Sequence, residues 1–196
     1  MRSIISRSLF FTILACIATS ATAQSMQVIG GSVSATNCYM AATIASQTRA
    51  ATRNDVSECT FALENTSLRY RDRLATYINR GILYVALEDF DRAVRDYDRA
   101  YRMDPDVAEL HVNRGNMYFF GKVYDQAITE YSAAIEMEFN KQHIALFNRG
   151  LAYEKLGELD KAAADYRRAL ELVPEWRQPQ DKLNRVLEKS RGRENT

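Results

Sequence analysis

The chain has 196 residues, 46% of them hydrophobic and 26% charged, a balance that excludes wholesale disorder and suits one modest domain with appendages. Three prolines and eight glycines, in a chain rich in Ala, Leu, Arg, Glu and Tyr, predict an all-α protein. A formal net charge of +1 supplies no electrostatic reason to expect nucleic acid or an anionic membrane surface as partner.

Residues 1–23 read as a signal peptide. Arg2 and Arg7 form the positive region, Leu9 to Ala18 an apolar run too short to span a bilayer, and Ala21-Thr22-Ala23 a cleavage site before Gln24. An exported protein, periplasmic or secreted, is the expectation, with no membrane span after cleavage. The alternative is a lipid anchor at Cys16, within Ile13-Leu14-Ala15-Cys16. Cleavage removes two of the 26 basic residues and none of the 25 acids, which turns the net charge from +1 to −1.

Residues 24–36, with Gly30-Gly31-Ser32, are small and polar and read as a flexible leader. Residues 37–73 read as a degenerate helical cap, since Cys59-Thr60-Phe61-Ala62-Leu63-Glu64 echoes the later Tyr166-Arg167-Arg168-Ala169-Leu170-Glu171. After cleavage two cysteines remain, Cys38 and Cys59. In an oxidising compartment they form a disulfide; the other reading is two small buried thiols. The bridge would close a loop of about 20 residues, worth about 3 kcal/mol on the chain-entropy account.

From Leu74 the chain repeats itself. Asn-Arg-Gly recurs at Asn79-Arg80-Gly81, Asn113-Arg114-Gly115 and Asn148-Arg149-Gly150. A tyrosine follows each glycine at the third place (Tyr84, Tyr118, Tyr153) and an alanine at the twelfth (Ala93, Ala127, Ala162). Next come Tyr97, Tyr131 and Tyr166, then Ala100, Ala134 and Ala169. Small residues at fixed places in two consecutive helices allow close approach, and the tyrosines fill the space beside them. Pro105 and Pro174 close two of the units because proline cannot continue a helix. A single unit leaves an apolar face bare, and stacking covers it. Helices are expected over 72–87 and 90–103, 107–120 and 124–138, 142–156 and 159–172, with Gly121 and Gly157 in two of the turns. A terminal helix is expected over 177–190, followed by a disordered tail, 191–196.

This pattern resembles the tetratricopeptide repeat (TPR), a 34-residue helix-turn-helix. The units are 74–107, 108–141 and 142–176. The resemblance implies a right-handed α-solenoid of three TPR helix pairs between an N-terminal helical cap and a C-terminal capping helix. Departures are visible. Tyr77, His111 and Leu146 share one position, Arg80, Arg114 and Arg149 stand where leucine is usual, and Phe139 replaces the second unit's proline.

The resemblance also implies a concave groove that binds another protein or peptide, lined by the first helix of each pair. Its candidates are Ile78, Asn79, Ile82 and Val85; Glu109, Val112, Asn113, Asn116 and Phe119; and Phe147, Asn148, Leu151, Glu154 and Lys155. The recurring asparagines either hold the backbone of an extended peptide or bridge neighbouring helices. Chaperone-binding members clamp a C-terminal carboxylate with basic residues. Ile78, Ile82 and Ile144 stand in those places here, so a carboxylate clamp is not expected.

No catalytic constellation is legible. His111 and His143 lie on different units, and no nucleophile elbow, phosphate loop or dinucleotide fingerprint occurs. Asp89, Asp91, Asp96 and Asp98 interleave with Arg92, Arg95 and Arg99 in the manner of a solvated helix face. A non-enzymatic adaptor with no cofactor and no metal is the expected function. The alternatives are a self-associating structural protein (a homo-oligomer) and a lipid-anchored envelope assembly factor.

Overall fold

A computed structural model of the chain describes residues 24–27 and 32–194. The proposed signal peptide and lipid site, with Cys16, lie outside the described residues. Nine α-helices form among those described: α1 (Val33–Thr48), α2 (Arg53–Asn65), α3 (Tyr70–Ala86), α4 (Phe90–Met103), α5 (Ala108–Phe120), α6 (Tyr124–Glu136), α7 (Gln142–Leu156), α8 (Leu159–Leu172) and α9 (Arg177–Glu194). Each packs mainly on its sequence neighbours, as a solenoid requires.

The cap differs from its expected bounds. Its first helix begins at Val33, because the Ser32 side chain accepts from the Ala35 N–H and supplies an N-cap earlier than composition suggested. The α2 start is a capping box: Asp55 N–H donates to Thr52 Oγ1, and Thr52 N–H donates to Asp55 Oδ2. Cys38 on α1 and Cys59 on α2 are disulfide-bonded, with Cα atoms 4.8 Å apart. At the other end α9 runs through 191–194, so most of the expected tail is helical.

Within the three units the turn between paired helices closes identically. The N–H groups of Asp89, Val123 and Glu158 reach back to the carbonyls of Tyr84, Tyr118 and Tyr153 at 2.9, 2.9 and 3.0 Å. Such a six-residue closure needs a left-handed residue just past the helix. That residue is Glu88 (φ 58°), Lys122 (φ 64°) and Gly157 (φ 79°). Gly121 therefore sits one place too early: its φ is −72°, and Lys122 takes the strained position.

The Asn-Arg-Gly glycines mark the closest helix contacts. A Cβ on Gly81 would lie 2.3 Å from Tyr97 Cε1, and one on Gly115 2.5 Å from Tyr131 Cε1. Both tyrosines are essentially fully buried, so neither ring can swing clear. Gly81→Ala is expected to cost about 1–3 kcal/mol by overpacking, read as a lowered urea midpoint. A midpoint at or above that of the unmodified chain would contradict the packing account.

The core divides at α5. One cluster joins α1 to α5 through Ile78, Leu83, Tyr97 and Leu110; a second joins α5 to α9 through Phe147, Leu151, Tyr166 and Val186; a small third one gathers Val112, Ala134 and Ala145 of α5, α6 and α7.

Candidate functional site

The first helices of the units, α3, α5 and α7, carry the candidate groove. Asn79 and Asn113 sit one repeat apart on α3 and α5 and are almost fully buried. Each holds the main chain of the leader. Gln24 N–H donates to Asn113 Oδ1 at 2.9 Å, and Asn113 Nδ2 donates to the Gln24 carbonyl at 2.7 Å. Met26 N–H donates to Asn79 Oδ1 at 2.9 Å, and Asn79 Nδ2 donates to the Met26 carbonyl at 2.8 Å. Each asparagine amide thus pairs with both backbone groups of one residue, as a neighbouring strand would. Ser25, between them, shares a 2.8 Å hydroxyl contact with Thr43 of α1. The leader is therefore held at residues 24–26, contrary to a flexible reading of 24–36. The reason is that its alternate residues fall opposite asparagines on successive inner helices, and each amide satisfies a donor and an acceptor of the leader at once.

The third unit uses its asparagine differently. Asn148 Nδ2 donates to Asn116 Oδ1 at 2.9 Å, and Tyr131 Oη donates to the same oxygen at 2.8 Å. Asn79 and Asn113 hold a backbone, the chain's own, while Asn148 and Asn116 bridge helices.

Two family models described as tetratricopeptide repeat match residues 78–122 and 143–175. The chain is a tetratricopeptide-repeat protein. Its structural neighbours agree. The first TPR of Spaghetti (RPAP3), bound to the HSP90 peptide SRMEEVD, is 26% identical, with 59% of this chain and 91% of that one covered and a TM-score of 0.56. The second TPR domain of human RPAP3, in complex with the HSP70 peptide SGPTIEEVD, is 27% identical over 56% and 91%, with a TM-score of 0.52. A thermophilic TPR protein of Thermus thermophilus is 21% identical over 78% and 80%, with a TM-score of 0.65, a likeness of fold. Among curated proteins nothing matches.

In this TPR protein most expected groove residues are packing residues. Ile78, Ile82, Val85, Val112, Phe119, Phe147 and Leu151 are buried, because each first helix is flanked by its own partner and by neighbouring units. Phe147 packs against Trp176 with ring centroids 4.8 Å apart and planes tilted by 49°. Glu109 and Glu154 are partly exposed and Lys155 is exposed. Glu154 faces the capping helix, with Arg185 at 2.5 Å, Lys189 at 3.5 Å and Lys182 at 3.6 Å. Burial pushes the Glu154 carboxyl up, but the charges of Lys182 and Arg185 and the hydrogen bonds from Arg185 and Tyr166 outweigh it and hold it below its ordinary value. Beyond Met26 the groove opens into a cleft of about 460 Å³ bounded by Tyr70, Leu74, Glu109 and Phe139.

The arginines that replace leucine form a network not legible as such in the sequence. Arg80 grips Asp96 at 2.7 and 2.8 Å and Thr60 at 2.9 Å. Arg149 grips Asp165 at 2.8 Å twice and Ser132 at 2.9 Å. Arg114 meets Glu130 at 2.9 Å and Asp98 at 3.7 Å. Each arginine ties its own pair together and reaches back to the preceding unit.

His111 completes the middle station. Its Nδ1 lies 2.8 Å from Glu130 Oε2 and its Nε2 2.9 Å from the Pro105 carbonyl. Both partners are acceptors, and only imidazolium can donate to both. Burial lowers its pKa and Arg114 opposes the charge, but the bonds to Glu130 and Pro105 outweigh them and raise it. A raised folded-state pKa contributes stability that is complete below the unfolded value, about 6.5, and is lost as pH climbs through the folded value. The fall in stability as pH rises from about 6 to 8 is expected to shrink in His111→Gln. Parallel stability profiles for the two proteins would contradict the assignment.

Among the described residues no three His, Cys, Asp or Glu side chains gather as a metal site, and no helix is long and apolar enough to cross a membrane.

Proposed function

We propose that this protein is a non-catalytic adaptor of the cell envelope, exported by cleavage before Gln24, that binds an extended segment of a partner protein in its concave groove. TPR proteins commonly mediate protein–protein contacts, and the RPAP3 domains similar to it are described with bound peptides. One observation carries the reading: Asn79 and Asn113 pair with the main chain of an extended segment at alternate residues. The mode differs from carboxylate capture, since Ile78 and Ile82 are buried apolar residues where a carboxylate clamp needs cations.

Photocrosslinking from position 109, at the mouth of the groove, tests it in intact cells. A discrete adduct is expected, and Asn113→Ala is expected to reduce it by about tenfold, the loss of a paired backbone contact. An unchanged adduct in Asn113→Ala would remove the groove from the function. Mass spectrometry of the exported chain is expected to find Gln24 at its N-terminus; a lipid on Cys16 would replace that picture.

A further inference from the structure

The groove is not empty in this chain: residues 24–27 lie in it. Four main-chain bonds from Asn79 and Asn113 fix Gln24 and Met26, and Ser25 is held by Thr43. Only residues 28–31 separate this segment from Ser32, the cap of α1. A connection that short sets an effective concentration on the order of millimolar. Any partner that uses the same asparagines must displace it.

The fit of the occupant is uneven. Its backbone is read at both residues, the Gln24 N being a peptide N–H in the uncut chain and, after cleavage, an ammonium that can still donate to Asn113 Oδ1, yet the Gln24 side chain does not match its place. Gln24 is 4% exposed, and neither its Nε2 nor its Oε1 has a hydrogen-bond partner. An unmatched buried amide weakens an otherwise well-paired segment, whereas an apolar side chain of the same length would carry no such penalty. The Met26 side chain, two residues on, is already apolar and packs on the core.

We infer that residues 24–27 are a built-in pseudo-ligand of the Asn79–Asn113 clamp, displaced by a partner segment in extended conformation that carries apolar side chains at both alternate positions. This rests on the groove reading above and specifies both its ligand and its control. The clamp reads main chain at alternate residues, the buried position beside Asn113 selects an unbranched apolar side chain, and the leader, with glutamine there, is the poorer occupant.

The test uses the purified exported protein and its Met26→Pro variant, which removes the N–H accepted by Asn79 and the Met26 side chain's packing on the core while leaving every residue of the solenoid itself in place. The probe is a fluorescent synthetic peptide of residues 24–31, in its native form and with Gln24→Met. In the unmodified protein the Met26 amide is expected to exchange at least about tenfold more slowly than in the free peptide. The native peptide is expected to bind Met26→Pro at least about tenfold more tightly than the unmodified protein, where the tethered leader competes. The Gln24→Met peptide is expected to bind about tenfold more tightly than the native peptide.

If the Met26 amide exchanges freely and both proteins bind peptide equally, self-occupancy is overturned while the groove reading survives. If the amide is protected but neither protein binds either peptide, the segment is a permanent strand of the fold, and displacement and groove reading fall together. Equal binding of the two peptides overturns the apolar selection. Protection that appears only above a dimerisation concentration would place the leader of a second copy in the groove, and overturns occupancy in cis.

Discussion

Replacing Arg80 by methionine is expected to destabilise the protein by about 3–5 kcal/mol, because it leaves the buried Asp96 carboxylate with only the more distant Arg99, at 3.7 Å, as its cation. The side chains of the pair are 9% and 3% exposed, and both carboxylate oxygens accept from the guanidinium. Burial opposes the arginine's charge, but the bond to Asp96 and its field outweigh burial and raise its pKa. The substitution also cuts the 2.9 Å link to Thr60, one polar tie between α2 and α3, and leaves that of Arg73 to the Leu63 carbonyl at 3.1 Å. For a chain of this length the loss corresponds to a melting temperature lower by on the order of 10 °C. The companion variant Arg80→Met with Asp96→Leu separates two explanations. Breaking a buried pair is costly, whereas replacing both members by apolar groups is often nearly neutral. The double variant is therefore expected to regain most of the loss. Equal melting of single and double variants would mean that the arginine's packing, rather than the abandoned charge, carries the effect.

Removing the disulfide is expected to be the next largest change. Cys38→Ser with Cys59→Ser frees a chain whose closure is worth about 3 kcal/mol, with losses of about 2–5 kcal/mol typical of small exported domains. This helix pair depends on its crosslink more than most, for α1 buries only Ala35, Cys38, Ala42 and Ala45, too little apolar surface to hold a helix by burial alone. The effect extends to the groove, since Thr43 of α1 contacts Ser25 of the leader. Hydrogen exchange is expected to accelerate first in α1, then at residue 26, with α5 to α8 least affected. Unchanged thermal stability and exchange in the double variant would show that the bridge restrains nothing.

The outcome along the chain follows a physical division. Helices α4, α7 and α8 coincide with the expected spans 90–103, 142–156 and 159–172. Their limits are set by local signals: a capping carboxylate at Asp89, a left-handed glycine at 157, and proline after 172. The cap was less legible because its start depends on one serine within a polar stretch, and its burial on small side chains that give weak periodicity. Arg80, Arg114 and Arg149 were visible as departures, but their carboxylates Asp96, Glu130 and Asp165 lie on the partner helix, beyond any local pattern.

The candidate site divides in the same way. By itself the sequence determined that a helical solenoid forms and that asparagine recurs at one position on its inner helices. Those are properties of residue type and spacing, which each unit carries within its own length. Only the tertiary structure decided that Asn79 and Asn113 face an extended backbone while Asn148 turns to Asn116, and that the backbone is the chain's own. The contacts of Gln24 with Asn113 and of Met26 with Asn79 span 89 and 53 residues. They depend on how far each repeat rotates against the next and on where a short connection delivers the leader, neither of which is written in any one segment.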